Sequence, residues 1–373
     1  MDRNITKVAM DTHKKQHTVA MVSCETGQME VFSVNNTVKD LKKMVGKIQK
    51  RSSGPIHVCY EAGVCGFVLK RQLEALGCQC DVIAPSLVPT KPGDRIKTDR
   101  RDAKKLLGQF IAGQLTVVHP PDAAQEAARE ITRCRQAAQE DLKRIRHQLL
   151  KLLNRHGYLY REGNHWTQKH HKWLQSLELD PSDLRLVFES YFTELRHCMS
   201  RLKGLDQEVD RLADRPEYRE IVGLLRCFRG IDTLTAITVL TEIFEFGRFD
   251  SPRKLMCYLG LVPSEYSSGE NSKRGGITKA GNKRVRRLLV ESAWHYRHRP
   301  FTSKTLDRRR LDQPQWAIDM ADKAMSRLYK RYWHLINRGK MPTKVCVALS
   351  RELAGFIWAI LHEHRNRQAR QSA

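Results

Sequence analysis

Short apolar runs alternate with amphipathic segments over the first 120 residues, a pattern typical of an α/β domain. Runs rich in β-branched residues predict strands over 5–10, 18–22, 29–34, 56–60 and 80–83. Apolar residues at helical spacing predict helices over 38–49, near 66–76 and over 102–112. Three antiparallel strands followed by strand–helix alternation predict a ribonuclease-H-like core over residues 1–120.

The middle of the chain carries a heptad-like apolar seam in two stretches. Steps of three and four residues run from Ala127 to Leu152, and again from Leu184 to Leu212. This spacing predicts two long helices over residues 121–218, forming an antiparallel coiled-coil arm or an oligomer contact. The alternative is two helices packed within one bundle. The connecting segment His165–His171 fits a packing or nucleic-acid-stacking loop better than a metal site.

The sequence of residues 219–373 predicts a mostly helical region. Cys227–Ile231 followed by a predicted helix over 234–244 resembles a helix-hairpin-helix, whose turn presents backbone N–H groups to DNA phosphates. Asp232 stands where that motif has its second glycine, so an ordinary helix–turn–helix packing unit fits as well. A basic helix is predicted over 283–289, and helical periodicity returns beyond residue 310.

The net positive charge of the chain indicates which class of partner it binds. The 373 residues contain 66 Lys and Arg against 41 Asp and Glu, a formal net charge of +25. Such an excess favours a polyanion, although a basic structural protein would share it. The ten cysteines form no C-x-x-C pair and are expected to be free thiols in a reducing cytoplasm. We see no signal peptide and no apolar stretch near 18 residues, so neither export nor a membrane partner is expected.

Four acidic residues occupy positions suited to a metal-dependent nuclease core. Asp11 ends the first apolar run and Glu61 ends a later one, whereas Asp99 and Asp102 begin a helical segment. Carboxylates at strand ends and at a helix start can converge on Mg²⁺, and four of them can hold two ions roughly 4 Å apart. For Asp99 and Asp102 alone, the alternative is a salt-bridged surface helix.

Two further segments carry candidate DNA-contacting residues. The Pro- and Gly-containing loop 86–97 places Lys91, Arg95 and Lys97 beside the predicted metal site. Ser268, directly before Gly269, lies in a predicted flexible loop without an obvious base, and by itself it fits a turn serine. Thirteen Lys and Arg against two acids lie between residues 273 and 310. The candidate phosphate-binding residues there are Lys273, Arg274, Lys279, Lys283, Arg284, Arg286 and Arg287.

These motifs together resemble a known family. D11-T-H-K, Y-E61-A-G, K-T-D99-R-R-D102-A and the C-terminal G-L-V-P…S-S268-G…G-G-I-T-K-A-G-N-K-R-V-R-R occur in the order seen in DEDD-type insertion-sequence transposases, the bridge-RNA-guided serine recombinases. The resemblance covers roughly residues 5–300.

The resemblance implies a RuvC-like domain, a coiled-coil arm and a C-terminal transposase domain over 219–373. It implies that Asp11, Glu61, Asp99 and Asp102 bind metal, and that Ser268 is the nucleophile, with neighbouring Ser267 not excluded. It also implies a homo-oligomer, a dimer of dimers, acting on donor and target DNA. A guide-like non-coding RNA and a prokaryotic, nucleoid-associated location complete the expectation.

On this hypothesis, Ser268 attacks a DNA phosphodiester with Mg²⁺ assistance, and a transient phosphoserine linkage conserves the bond energy for strand transfer. Two alternatives remain. One is a RuvC-like nuclease that hydrolyses DNA with water and does not need Ser268. The other is a nucleic-acid-binding protein without catalysis.

Overall fold

The computed structural model describes residues 5–22, 27–52, 54–89, 98–268 and 271–372, with the backbone alone at 268, 271–274 and 372. The chain divides into two compact units, residues 1–121 and 122–373. Each unit is described separately below.

The first unit is a six-stranded mixed sheet with helices on both faces. Its strands are β1 (Thr6–Thr12), β2 (Gln16–Val22), β3 (Met29–Asn35), β4 (Ile56–Glu61), β5 (Gln79–Ile83) and β6 (Val117–Val118), and its helices are α1 (Val38–Gln49), α2 (Val68–Ala75) and α3 (Asp99–Ile111). The strand order is β3-β2-β1-β4-β5-β6. The β1–β2, β2–β3 and β5–β6 pairs are antiparallel, whereas β1–β4 and β4–β5 are parallel. The predicted α/β class is thus confirmed.

Side-chain alternation along the strands separates two cores. Val8 and Met10 of β1 pack with residues of α1 and α2 in one buried cluster. Ala9, between them, packs with Cys59 of β4 and with α3 in a second cluster on the opposite face. Since successive strand residues point to opposite faces, the α3 face also receives the residues that end β1 and β4.

The second unit is almost entirely helical. Its helices are α4 (Ala123–Arg155), α5 (Gln168–Gln175), α6 (Ser182–Ala213), α7 (Pro216–Arg226), α8 (Thr233–Ile243), α9 (Pro252–Tyr258), α10 (Lys283–Ala293), α11 (Lys304–Arg310), α12 (Gln315–Asn337) and α13 (Pro342–Ser372). A two-stranded hairpin, β7 (Pro263–Ser268) and β8 (Asn271–Ile277), interrupts them.

Helices α4 and α6 pack against each other in opposite directions. Arg135 Nε lies 2.7 Å from Asp206 Oδ1, and Arg201 Nη1 lies 3.1 Å from Asp141 Oδ2, so position rises along one helix as it falls along the other. Their apolar residues share one buried cluster with the intervening segment, in which His170 is buried. A role for the pair as an arm or oligomer contact stays a prediction.

The predicted seam is wrong near the start of α4. Ala127 and Cys134 are exposed, whereas the neighbouring Ala128 and Thr132 are buried. The reason is that this end of α4 packs on α8 as well as on α6, and Thr132 Oγ1 lies 3.4 Å from Thr241 Oγ1 of α8. A second partner shifts the buried face of the helix.

Helix α13 corrects the expectation that no apolar stretch near 18 residues exists. The helix over residues 342–371 contains an 18-residue window that is long and apolar enough to cross a membrane by length and composition, with a mean hydropathy of 1.5. Half of that window is buried, and Val345, Leu349 and Leu353 lie in the main core of the second unit. Arg351 and Glu352 break the run in the sequence and conceal it. The burial is that of a core helix.

Candidate metal centre and serine hairpin

The parallel pairing of β1 and β4 brings two predicted carboxylates to one edge of the sheet. The register places Met10 opposite Tyr60, so Asp11 and Glu61 follow side by side at the carboxyl ends of the two strands. By alternation both belong to the α3 face, together with Ala9 and Cys59. Topology therefore brings together residues that are 50 positions apart in sequence.

Helix α3 approaches the same edge with its first turn. Lys7 Nζ, near the start of β1, donates to the carbonyl oxygen of Phe110 at 3.1 Å and so holds the C-terminal end of the helix. The N-terminal end consequently lies at the far end of β1. Thr98 caps it by accepting from the backbone N–H of Arg101. The helix therefore begins at Asp99 and not at residue 102, and both Asp99 and Asp102 lie in its first turn, where the helix dipole favours carboxylates.

Asp11, His13 and Asp99 converge. One ligand atom from each lies within 4.8 Å of the others. His13 Nε2 is 3.4 Å from Asp11 Oδ2 and 3.5 Å from Asp99 Oδ2. In the described part of the chain, Glu61 and Asp102 are not in this group of three, and both are half-buried. The structure thus joins two of the four predicted carboxylates directly.

His13 is a member of this group that the sequence did not predict. It lies in the tight turn between β1 and β2, two residues after Asp11. Asn36 Nδ2 donates to the Lys14 carbonyl at 3.2 Å, and the Cys65 thiol lies 3.6 Å from the His13 carbonyl oxygen. These contacts hold the turn that carries the imidazole. The D-x-H spacing at a strand end was the available signal.

A divalent cation fits this donor set. Two carboxylate oxygens are the protein ligands that Mg²⁺ commonly takes, the rest of its octahedron being filled by water and substrate phosphate. The side chains of Asp11, His13 and Asp99 are 24%, 54% and 62% exposed, which leaves room for those ligands. An imidazole nitrogen is better suited to Mn²⁺ or Zn²⁺ than to Mg²⁺, so His13 as a direct ligand would favour the former.

The serine segment is a β-hairpin and not the predicted flexible loop. Tyr266 pairs with Lys273 and Ser267 with Ser272 across the two strands. Ser267 Oγ donates to Glu265 Oε1 at 2.8 Å. The backbone of Ser268 pairs with Asn271 at the end of the hairpin. The strands were missed because they are polar throughout and lack apolar alternation.

Two glycines fix the base of this hairpin against α9. Gly281 has φ +76°, and a Cβ there would overlap the carbonyl oxygen of Tyr258. Gly260 has φ +62°, and its Cβ would overlap the carbonyl oxygen of Ala280. Arg286 Nη1 donates to the carbonyls of Leu259 and Ala280 at 2.8 and 3.1 Å, which ties the same segment to α10.

A buried carboxylate secures the start of α10. Asn282 caps the helix, accepting at Oδ1 from the backbone N–H of Arg284 and Val285. Its Nδ2 donates to Glu242 Oε2 at 2.7 Å, and Arg133 pairs with the same carboxylate through two hydrogen bonds of 2.8 and 3.0 Å. Burial works to raise the pKa of Glu242, but the hydrogen bonds from Arg133 and Asn282 and the nearby positive charges outweigh it, so the pKa lies below its ordinary value.

The predicted phosphate-binding residues have different surroundings. Lys279 and Lys283 are exposed, whereas Arg287 pairs with Glu291 at 2.8 Å. The Arg286 guanidinium donates hydrogen bonds to backbone carbonyls, and burial lowers its pKa. Lys91, Arg95 and Lys97 lie outside the described residues, and at Ser268, Lys273 and Arg274 the backbone alone is described.

Comparison with known proteins identifies the class. A model described as a transposase, of the DEDD type of the IS110 group, matches residues 8–157, and one described as the transposase IS116/IS110/IS902 family matches residues 222–306. The DEDD match implies a ribonuclease-H-like fold for the sheet unit.

Two curated relatives extend over most of the chain. Transposase y4qE of Sinorhizobium fredii is 39% identical over 96% of this chain and 89% of its own length. The transposase for insertion sequence element IS1533 of Leptospira borgpetersenii is 33% identical over 88% of this chain and 96% of its own length. The chain therefore belongs to the IS110/IS116 family of DEDD transposases.

Proposed function

We propose that this transposase cuts and rejoins DNA through a serine nucleophile assisted by divalent metal. Membership of the family makes the chain a DNA strand-transfer enzyme. The observation that carries the proposal is the convergence of Asp11, His13 and Asp99 where β1 ends and α3 begins. Asp11 and Asp99 hold the first cation in this scheme, and Glu61 and Asp102, beside them in the fold, complete a site for a second.

The chemistry divides between the two units. A bound cation supplies a Lewis acid that stabilises negative charge on a phosphodiester and lowers the pKa of a coordinated hydroxyl. The serine hydroxyl loses its proton as its oxygen forms a bond to phosphorus. The bond from phosphorus to one deoxyribose oxygen breaks, and that oxygen takes up a proton, so the step is neutral in protons overall. Attack of a new strand's hydroxyl on the phosphoserine reverses these changes, so no external energy source is needed.

Ser268 is the proposed nucleophile, on the family resemblance of the serine before Gly269. Ser267 remains the alternative, and its hydrogen bond to Glu265 gives it a carboxylate acceptor for the hydroxyl proton. In the full proposal, a non-coding RNA of the element directs DNA choice, the protein assembles as a dimer of dimers, and it acts at the nucleoid. These parts rest on the resemblance.

Covalent trapping tests the nucleophile. Purified protein is mixed with Mg²⁺, candidate non-coding RNA and junction DNA, then denatured, digested and analysed by mass spectrometry. We expect a nucleotide adduct on Ser268 that is lost with EDTA, in Asp11→Asn and in Ser268→Ala, and that persists in Ser267→Ala. An adduct on Ser267 would move the nucleophile by one residue.

The second candidate is a hydrolytic RuvC-like nuclease, favoured by the convergence of Asp11, His13 and Asp99, because a cation held there would activate water without a serine. It predicts free DNA ends, no serine adduct, and full cleavage by Ser268→Ala. These outcomes would reject the serine intermediate and keep the metal site.

A further inference from the structure

A cavity of about 440 Å³ lies in the second unit beside the turn between α7 and α8. Its walls come from that turn and from residues 295–309, and none of its lining residues belongs to the carboxylate cluster or to the serine hairpin. The volume is within the range of about 300–1,000 Å³ typical of small-ligand pockets. The family assignment gives it no role.

Gly230 allows the turn to approach α10 closely. It has φ +80°, and a Cβ there would lie 2.6 Å from the carbonyl oxygen of Ser292. The turn is consequently pressed against the end of α10, and Arg229 and Asp232 on either side of the glycine form one wall of the cavity. The wall is therefore built into the fold and does not depend on a mobile loop.

Arg309 of α11 extends this wall through its bonds to the turn, and both Arg229 and Arg309 are held in place while retaining free donors. Arg229 Nη1 donates to the carbonyls of His298 and Arg299 at 3.1 and 2.9 Å. Arg309 donates to the Ile231 carbonyl at 3.1 Å and pairs with Asp232 at 2.6 Å. A guanidinium has five N–H donors, so each arginine can still bind an anion. Because Asp232 neutralises one positive charge, the wall remains cationic.

The cavity lining also contains groups that suit a nucleobase. Phe301 lines the cavity and is 68% exposed, an unusual state for a large aromatic residue. The hydroxyls of Ser303 and Thr305 and the His295 ring also line it. Burial and the surrounding arginines lower the pKa of His295, which favours a neutral ring able both to donate and to accept a hydrogen bond.

We propose that this cavity binds one unpaired nucleotide of a nucleic-acid strand, with its base stacked on Phe301 and its phosphate held by Arg229 and Arg309. An exposed aromatic face beside fixed cations is the arrangement by which proteins bind single strands. A base-paired nucleotide cannot enter a pocket of this size without leaving its helix. The proposal goes beyond the serine chemistry and does not require it.

Binding in EDTA tests the cavity separately from any cleavage. Full-length protein is titrated into fluorescein-labelled oligo(dT), oligo(U) and a DNA duplex, and fluorescence anisotropy gives Kd at several salt concentrations. For Phe301→Ala we expect at least about five-fold weaker binding of a single strand, the loss typical of one stacked base. The slope of log Kd against log salt should not change, because no cation is removed. Phe301→Trp should restore affinity.

Leu311→Ala is the matched control, since Leu311 is also in the second unit, is 65% exposed and does not line the cavity. A loss for oligo(dT) alone identifies a DNA strand, a loss for oligo(U) alone identifies RNA, and a loss for both means that the sugar is not distinguished. All three support the proposal. If Phe301→Ala stays within about two-fold of Leu311→Ala on both single strands, or if duplex affinity falls equally, the proposal is overturned.

Discussion

His13 stands between two carboxylates that would otherwise repel each other. Its Nε2 lies 3.4 Å from Asp11 Oδ2 and 3.5 Å from Asp99 Oδ2, in a turn fixed by Asn36 and Cys65. Like charges this close raise the free energy of the metal-free protein, and a divalent cation or an imidazole N–H offsets that cost. We therefore propose that, when a cation binds here, the imidazole either coordinates it or orients the two carboxylates around it.

Replacing His13 should weaken metal binding without abolishing it. We expect His13→Ala to raise the Kd for Mn²⁺ by about 10- to 100-fold, the usual cost of losing a residue that orients metal ligands. Isothermal titration calorimetry measures this, with Asp11→Asn as the variant expected to show no binding. His57→Ala is the control, because His57 also pairs with a carboxylate, Asp81, at 2.9 Å. Equal losses in both histidine variants would contradict a specific role.

Sequence reasoning located Asp11 and Asp99 because each marks a boundary between elements. Asp11 ends an apolar run, and Asp99 follows Thr98, a residue type that caps helices. His13 escaped because a lone histidine in a polar turn has no periodicity to identify it. Its position depends on the turn geometry that Asn36 and Cys65 impose from other parts of the chain, which the sequence does not reveal.

At the scale of elements, close backbone approach positions the serine hairpin. The contact between Gly281 and the Tyr258 carbonyl leaves no space for a side chain, and both Gly260 and Gly281 have positive φ. The hairpin is therefore anchored at its base by backbone packing, while Tyr266 near its end is 82% exposed. Such an arrangement suits the proposed role of the serine region, which requires access by a large substrate.

Gly281→Ala should destabilise the protein and displace the hairpin. We expect a loss of at least about 1 kcal/mol in the free energy of unfolding from backbone strain alone, with steric overlap adding to it. Gly276→Ala is the matched control, because a Cβ at Gly276 meets nothing within 4 Å. Urea denaturation followed by circular dichroism measures both. Equal stabilities would show that the base of the hairpin can relax.

The Glu242 network should make stability depend on pH. Because the folded-state pKa of Glu242 lies below the ordinary 4.5, its contribution is complete above pH 4.5 and is lost as the pH falls through the folded-state pKa. We expect Glu242→Gln to cost about 2–3 kcal/mol at pH 7, less than a fully buried pair because Arg133 is 29% exposed.

Chemical denaturation between pH 3 and 7 tests this network. The stability difference between the wild type and Glu242→Gln should shrink on acidification. Glu291→Gln, which removes an exposed carboxylate paired with Arg287, should change stability by less than about 1 kcal/mol at any pH. A constant difference across the pH range would exclude Glu242 as the titrating group.

Helices and strands could be predicted from the sequence where one face is buried, because burial of one face leaves a periodic pattern of apolar residues. The apolar spacing of Val38–Gln49 gave α1 its observed bounds, and the five longer strands of the first unit followed from apolar runs. The hairpin β7–β8 was missed because its stability comes from cross-strand pairing and backbone packing, which leave no hydrophobic pattern. The buried face near the start of α4 differs from the predicted seam because a second helix, α8, packs on this end of α4.

At the scale of the whole molecule, the candidate chemistry is divided between two units with separate cores. Residues 1–121 contain 19 Lys and Arg against 11 acids, and residues 122–373 contain 47 against 30. Both units are basic, and the larger excess lies in the unit with the serine hairpin and α10. The candidate metal centre, with its two acidic residues, thus belongs to a chain with an excess of positive charge, which favours binding of phosphate.

Exposed cationic side chains and those hydrogen-bonded to backbone carbonyls should therefore respond differently to substitution: the first should affect DNA binding and the second stability. Lys283→Ala, at the exposed start of α10, should weaken DNA binding on all sequences and reduce the slope of log Kd against log salt by about 1. Arg286→Ala should lower stability through the loss of its bonds to Leu259 and Ala280. Anisotropy titrations and denaturation separate the two effects. A salt slope unchanged in Lys283→Ala would remove this residue from the phosphate-binding surface.

Metal should stabilise the first unit and leave the second unchanged when no nucleic acid is present. Binding to the native state alone adds free energy according to RT ln(1 + [L]/Kd), about 1.4 kcal/mol at ten times Kd. Since Asp11 and Asp99 belong to β1 and α3, we expect Mn²⁺ to slow hydrogen exchange in those elements and not in 122–373. Asp99→Asn should remove the effect. Slower hydrogen exchange in α10 or β7 would contradict this expectation if it appeared when metal binds without nucleic acid. It would mean that metal binding in the first unit already affects the second unit before DNA binds.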